Sequence, residues 1–190
     1  GMQYAVRGVA LVYTGGRPIN ALTTAFTNLG KGYAGPIPVP VIIFAIVALI
    51  SWFFLAKTQF GRYIYAIGGN EKAALVSGLR VKQLKFLSYV INGMTAALAG
   101  ILLAARVAVG SPTAGESYDL LAITAVVVGG TSNAGGTGGI LPSIIGVFIV
   151  TVMNNGMDLL GISGYYQKIV TGVVVLLAVI IDRNNVNRNH

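Results

Sequence analysis

The sequence predicts an all-α fold, a polytopic transmembrane helix bundle of about four to five spans with a further partial span near its beginning. The 190-residue chain is 55% hydrophobic and only 9% charged, whereas about a quarter of the residues in an average soluble domain are charged. Its apolar residues are also gathered into long runs, several of which approach the roughly 20 residues that a helix needs to cross a bilayer. We therefore expect one integral membrane domain over residues 1–190.

The composition also excludes several classes of function. The sequence has no cysteine and a single histidine, His190, which excludes disulfides and thiolate metal sites, so no metal site is predicted. The formal net charge of +8 comes mostly from residues that flank the apolar runs, which disfavours nucleic-acid binding. The few carboxylates fall in predicted loops and ends, so the sequence shows no set of catalytic residues and does not predict an enzyme.

The first predicted elements are a partial span and two full spans. Residues 4–13 are too few to cross a bilayer, so they form either the end of a span whose beginning is missing or an interfacial helix, and their run into Gly15 and Gly16 favours the span end. Residues 39–56 carry no charge and nearly match the thickness of a hydrocarbon core. Residues 86–105 form the second clear span, with small residues four apart that allow helices to approach closely.

The segment between these two spans, residues 57–85, is called the basic segment below. Its six basic residues are Lys57, Arg62, Lys72, Arg80, Lys82 and Lys85. Glu71 is its one acidic residue. Basic loops between spans stay on the cytoplasmic side of a membrane. The sequence therefore predicts a cytoplasmic loop that holds a short helix over residues 71–78 and serves as a docking site for a soluble partner.

The second half of the chain alternates polar loops with shorter apolar runs. Residues 110–119 are predicted to form an outer loop, and residues 154–164 another. Residues 120–128 and 140–153 are both shorter than a full span, so they form either two short crossings or one re-entrant pair. The glycine tract between them, residues 129–139, then lies within the bundle, near a pathway or its inner mouth. A last span is predicted over residues 165–181, followed by a cytoplasmic tail.

Several polar or small residues are candidates for lining a translocation pathway, although hydrogen bonding between helices explains the asparagines equally well and close packing with a turn explains the glycine tract better. These candidates are Asn92, Gly129, Gly130, Thr131, Ser132, Asn154 and Asn155. No ionisable residue lies in the middle of a predicted span, which argues against a carrier driven by protons or ions. If a solute moves uphill, its energy must then come from elsewhere, and the basic segment is where an energising partner could bind.

Five stretches together resemble one family. They are GGRPI (15–19), FGRYIYAIGGNEKAALVSG (60–78), SPTAG (111–115), AVVVGGTSNAGG (125–136) and NNGMDLLGISGYYQKIVTGVVVLLAV (154–179). In these stretches the chain is similar to the inner-membrane permease subunits of ABC importers for simple sugars, the ribose-type branch related to branched-chain amino acid permeases. Members of the family are longer, so the chain resembles the C-terminal part of one.

The resemblance implies a multi-pass permease subunit of the bacterial inner membrane that imports a simple sugar such as ribose. It implies a separate ATP-binding subunit that carries ATP and Mg²⁺, a periplasmic or lipid-anchored sugar-binding protein, a second permease copy and surrounding lipid, with no cofactor on this chain. The implied ATPase-coupling residues are Glu71, Lys72, Ala73, Ala74 and Gly78. The family has Glu where this chain has Lys72, and Glu71 precedes it. Glu116 and Asp119 in the outer loop are predicted to face the binding protein.

Two other hypotheses remain open from the sequence. A secondary carrier predicts uptake that follows a proton or sodium gradient and survives ATP depletion. A structural or assembly protein of the membrane predicts no transport and no substrate-dependent change in the ATPase rate of a partner.

Overall fold

The computed structural model describes residues 2–20 and 22–188, and of these residues 177–179 and 181–188 are described as backbone only. Within these residues there are nine helices and one short β-hairpin. The helices are α1 Met2–Thr14, α2 Thr24–Lys31, α3 Val39–Lys57, α4 Gln59–Gly69, α5 Glu71–Val76, α6 Val81–Val107, α7 Tyr118–Val128, α8 Ile140–Leu159 and α9 Gly164–Arg188. The hairpin strands are β1 Tyr33–Ala34 and β2 Ile37–Pro38. The predicted all-α bundle is confirmed.

Three of the described helices are long and apolar enough to cross a membrane: α3 with 19 residues, α6 with 27 and α8 with 20. At 1.5 Å per residue their lengths are about 28, 40 and 30 Å, which match or exceed a hydrocarbon core of about 30 Å. Large apolar side chains are exposed along all three, for example Leu49, Met94 and Phe148. Such continuous apolar surfaces are unfavourable in water and suit a lipid environment.

The helix α8 corrects one predicted boundary. Residues 140–153 were expected to be shorter than a full span and to end at an outer loop beginning with Asn154, but α8 continues to Leu159. Polar side chains do not interrupt a helix whose backbone hydrogen bonds continue. The backbone leaves the helix only near Gly161, whose φ is +70° and whose N–H donates to the Asp158 carbonyl.

The lengths of α7 and α8 differ from both alternatives predicted for the two apolar runs, because only α7 is shorter than a full span. The helix α7 has 11 residues and is therefore about 16 Å long, roughly half of a hydrocarbon core. Only α8 of this pair has the length to cross, so the pair is one half-length helix followed by one full-length helix. Because α7 begins at Tyr118, Asp119 lies in its first turn and not in the outer loop predicted over 110–119.

The basic segment is more helical than predicted. The short helix expected over 71–78 is present as α5, Glu71–Val76. A second helix, α4, precedes it, and α6 already begins at Val81. Hydropathy identifies the part of a helix that contacts lipid, so it missed the polar first turns of α6, which lie ahead of the apolar run at residue 86.

The chain divides into two compact units, Gly1–Leu49 with Phe86–Glu116 and Ile50–Lys85 with Ser117–His190. In the first unit, Ile19 and Gly110 form an isolated antiparallel bridge, with both N–H to carbonyl distances at 2.9 Å. An ion pair, Arg7 to Glu116 at 3.8 Å, also lies within this unit. The first unit also contains α2 and the hairpin, which hydropathy did not indicate.

The second unit is built around α7. Thr124 is completely buried, and Ala125 and Val127 are buried beside it. Val150 of α8 and Thr171 of α9 are buried in the same unit, and α7 contacts both of those helices. The predicted span over 165–181 falls on α9, although part of its side chains and of the polar tail lie outside the described residues.

Candidate functional site

The helix α5 is fixed at both ends by local hydrogen bonds. At its start the Asn70 side-chain oxygen accepts from the Ala73 N–H at 3.0 Å, an N-cap that satisfies a free backbone donor. At its end Gly78 has a φ of +83°, a left-handed conformation that suits glycine. The Gly78 N–H donates to the Leu75 carbonyl at 3.0 Å and the Leu79 N–H donates to the Ala74 carbonyl at 3.1 Å. This pair of bonds closes the helix as a Schellman motif.

One face of α5 is covered by a small apolar core. Ala74 is 5% exposed and packs with Ile67 of α4 and Val81 of α6. Leu79 and Leu84 pack against the same cluster. The core therefore holds α4, α5 and the first turns of α6 together, and the side chain of Ala74 serves this internal contact.

The other face of α5 is open. Lys72 and Ala73 are exposed, and Leu75 and Val76 are 63% and 89% exposed. Two apolar side chains beside a cation, on a helix already covered on its inner face, form a surface suited to a partner with a matching apolar patch.

Glu71 is engaged within the segment. Its carboxylate lies 2.6 Å from the Lys85 ammonium, and both side chains are about half exposed. An exposed ion pair of this kind adds at most about 1 kcal/mol to stability. Because Glu71 pairs with Lys85, Lys72 is the exposed charge at the start of α5 that remains for a partner.

The glycine tract, residues 129–139, forms a compact loop between α7 and α8. The Ser132 N–H donates to the Thr137 carbonyl at 3.1 Å, and the Gly135 N–H donates to the Ser132 carbonyl at 3.2 Å. At its two ends the Thr131 N–H donates to the Val126 carbonyl at 3.1 Å and the Ser143 hydroxyl donates to the Gly139 carbonyl at 2.8 Å. The loop is thus hydrogen-bonded internally and to both helices.

The structure brings the glycine tract into contact with the basic segment. A Cβ atom added to Gly68 would lie 2.6 Å from the Gly136 nitrogen, and one added to Gly136 would lie 2.8 Å from the Gly69 Cα. A Cβ on Gly135 would lie 2.7 Å from the Gly68 oxygen. Gly68, Gly69, Gly135 and Gly136 are called the glycine junction below. Beside it the Tyr65 hydroxyl donates to the Gly138 carbonyl at 2.9 Å.

The two helices that flank the glycine tract also meet backbone to backbone. A Cβ on Gly129 would collide with the Pro142 carbonyl oxygen, and one on Gly146 would collide with the Ala125 carbonyl oxygen. Small residues at such contacts let helices pack closely in lipid, where no hydrophobic force draws them together. Packing is therefore an evident role for Gly129, although it was also predicted as a pathway residue.

The remaining pathway candidates are divided between the two units. Asn92 is exposed on α6 in the first unit, while Gly130, Thr131 and Ser132 belong to the glycine tract in the second. Asn154 and Asn155 lie within α8 and not in the loop predicted at 154–164. The side-chain oxygen of Asn154 is buried, without a hydrogen-bond partner among the described residues. A pathway role for these residues remains a prediction.

The two acidic residues predicted to face a binding protein also fall in different units. Glu116 is in the first unit, where its carboxylate faces Arg7 at 3.8 Å and is 64% exposed. Asp119 is exposed in the first turn of α7. Both side chains are accessible, which their predicted role requires.

Sequence reasoning missed the exposed pair Leu75 and Val76, and it missed the glycine junction. The junction had a signal in the sequence, because Gly68–Gly69 and Gly135–Gly136 are double glycines in two different polar segments. Glycine pairs of this kind permit backbone contact. Nothing in the spacing indicated that they contact each other.

Residues 2–179 match the family model described as the branched-chain amino acid transport system permease component. The chain is 52% identical over 179 residues to the ribose import permease protein RbsC of Bacillus subtilis (strain 168), a match that covers 93% of this chain and 56% of that protein. It is 49% identical over 185 residues to RbsC of Escherichia coli (strain K12), covering 95% of this chain and 58% of the relative.

A further relative is named for another sugar. The xylose transport system permease protein XylH of Haemophilus influenzae is 45% identical over 149 residues, which cover 78% of this chain and 40% of that protein. The chain thus spans little more than half the length of the RbsC relatives it matches. No solved structure matches the chain.

Proposed function

Because this chain belongs to the permease-component family of branched-chain amino acid transport systems, we propose that it forms part of the membrane permease of an ATP-driven importer for ribose or a similar simple sugar. As a family member it is a permease component and not an enzyme, and it is a multi-pass protein of the bacterial plasma (inner) membrane. The observation that supports a sugar as the substrate is the 52% identity with a ribose import permease over 93% of the chain.

The proposed substrate is a simple sugar, with ribose first. The family description refers to branched-chain amino acids, but the two relatives reported with the highest identity are named for ribose and a further one for xylose. Ribose and xylose are both uncharged polyhydroxylated sugars, and the candidate pathway residues Asn154, Thr131 and Ser132 have uncharged polar side chains.

The proposed energy source is a separate ATP-binding subunit that docks on α5, with ATP and Mg²⁺ held on that subunit. The exposed Leu75 and Val76 supply an apolar contact and Lys72 supplies a charge beside it. The local core and the two caps hold α5 in one conformation before binding, which lowers the entropy cost of association. This role requires the basic segment to be cytoplasmic, as its six basic residues favour.

The remaining proposed partners are a second permease copy, lipid and a sugar-binding protein on the outer side. The apolar surfaces of α3, α6 and α8 extend along helices that are almost uncovered within the described chain, and lipid or a second copy would cover them. Glu116 and Asp119 are accessible acidic groups for a binding protein.

The proposal is tested by measuring solute uptake in cells that express the native permease gene and in cells that lack it. Labelled ribose, xylose and leucine are supplied separately, first with ionophores that dissipate the proton and sodium gradients, then with ATP depleted. We expect permease-dependent ribose uptake that survives the ionophores and stops when ATP is depleted. Uptake that follows an ion gradient would establish a secondary carrier, and uptake of leucine without either sugar would overturn the proposed substrate.

A further inference from the structure

The glycine junction joins two elements that lie far apart in the sequence. On one side are Gly68 and Gly69, the last residues of α4. On the other side are Gly135 and Gly136 in the loop between α7 and α8. The hydrogen bond beside the junction, from Tyr65 to Gly138, connects residues 73 positions apart.

The contact at the junction is made by backbone atoms. Every atom that an added Cβ would meet at 2.6–2.8 Å belongs to the opposite main chain: the Gly136 nitrogen, the Gly68 oxygen and the Gly69 Cα. Side chains can absorb a small displacement by changing rotamer, whereas backbone held by hydrogen bonds cannot. A movement of the end of α4 is therefore passed directly to the glycine tract.

The side of the junction next to α5 is stiff. Asn70 follows Gly69 directly and is at once the last cap of α4 and the first cap of α5. Its N–H donates to the Ala66 carbonyl at 3.0 Å, and its side-chain oxygen accepts from the Ala73 N–H at 3.0 Å. No linker of free residues separates the two helices, so α5 and the end of α4 move together.

The other side of the junction is equally well held. The glycine tract is hydrogen-bonded to the end of α7 through Thr131 and to the start of α8 through Ser143. The two helices contact each other where Gly146 meets the Ala125 carbonyl. The tract, α7 and α8 thus form a continuous packed body.

We infer that the glycine junction makes α5 and the α7–α8 pair one mechanical body, so that Gly68, Gly136 and Tyr65 are positioning residues for coupled transport. This inference rests on the proposed function, because it takes α5 as the docking element for an ATP-binding subunit. Movement of α5 on ATP binding or hydrolysis then displaces the half-length helix α7 and the full-length helix α8 together. The glycine junction carries that movement without itself contacting sugar or nucleotide.

Two neighbouring glycines provide a matched pair of variants. Gly68→Ala places a methyl group 2.6 Å from the Gly136 nitrogen, whereas the same change at Gly69 meets its nearest atom at 4.0 Å. Both residues are in α4, and alanine favours a helix over glycine at both. The two variants therefore differ mainly in whether the added methyl group forces the two backbones of the glycine junction apart.

The experiment measures the ratio of ribose taken up to ATP hydrolysed, in proteoliposomes that contain the complex purified from native membranes. We expect Gly69→Ala to keep the wild-type ratio. We expect Gly68→Ala to retain its ATP-binding subunit but to lose about fivefold or more in the ratio, the scale of a typical coupling between sites. A merely structural role would lower the amount of complex and leave the ratio unchanged.

If Gly68→Ala is not recovered from membranes, Tyr65→Phe provides the test, since it removes one hydrogen bond at an exposed hydroxyl. A lowered ratio in that variant supports the inference. A wild-type ratio in the variant that is recovered overturns it while leaving the proposed function in place. If the wild-type complex itself neither takes up ribose nor hydrolyses ATP, the proposed function fails and the inference falls with it.

Discussion

Replacing Gly78 tests whether the exposed face of α5 must be held in its folded conformation for a partner to bind. Gly78 has a φ of +83°, and a Cβ added there would meet no atom within 4 Å. Gly78→Ala therefore introduces no collision, and its whole cost comes from the left-handed backbone. Gly78→Pro adds two further effects, because proline fixes φ near −65° and removes the N–H that donates to the Leu75 carbonyl.

The size of each effect follows from these features. An L-residue in the left-handed conformation costs roughly 1–2 kcal/mol. Loss of the Gly78 N–H bond adds about 1 kcal/mol, so Gly78→Pro costs at least about 2–3 kcal/mol. A helix of six residues is marginal without its caps. We therefore expect the free energy of docking to weaken by most of this amount. We expect about 5- to 30-fold weaker binding for Gly78→Ala and a larger loss for Gly78→Pro.

The assay is the amount of ATP-binding subunit that co-purifies with the permease after gentle detergent extraction. Gly93→Ala in α6 is the control, because no atom lies within 4 Å of its added Cβ and its φ is not positive. Retention should fall in the order wild type and Gly93→Ala, then Gly78→Ala, then Gly78→Pro. Wild-type retention in Gly78→Pro would refute the reasoning that links the shape of α5 to docking.

Two further predictions concern the exposed face of α5 and the packing of α8. Val76→Ser should leave thermal stability within about 0.5 kcal/mol, since Val76 is 89% exposed, yet weaken co-purification of the ATP-binding subunit by about tenfold through lost apolar burial. Val76→Ile is its control, and equal retention by both variants would exclude Val76 from the interface. Gly146→Ala should destabilise the permease by about 1–3 kcal/mol, because its Cβ collides with the Ala125 carbonyl, whereas Gly156→Ala in the same helix meets no atom within 4 Å. Thermal unfolding in detergent compares the two, and equal melting temperatures would contradict the close contact of α7 with α8.

The parts of the fold that lipid dictates were predictable from the sequence. A crossing helix needs about 20 apolar residues, so the runs at 39–56 and 86–105 identified α3 and α6. The ends of the helices were not predictable in the same way. Helical hydrogen bonds continue beyond the apolar stretch, so α6 begins at Val81 and α8 ends at Leu159.

The sequence predicted the local chemistry of the candidate site but not the contacts between its distant segments. Charge and composition indicated the short helix at 71–78, and the structure contains α5 there. Ala73 and Ala74 look alike in the sequence, yet Ala73 is exposed and Ala74 is buried, because burial depends on helices packed from outside that stretch. The glycine junction depends on a contact between distant segments, which local propensity does not encode.

The single residue between α4 and α5 also sets how much length variation this part of the permease can tolerate. Asn70 caps both helices, and each residue added to α5 ahead of Ala74 rotates everything after it by about 100°. One inserted or deleted residue here would turn Ala74 out of its core and present a different face of α5 to a partner. By contrast, added residues in a surface loop cost little. Natural variants and engineered chimeras should therefore exchange residues in this region by substitution and keep its length fixed.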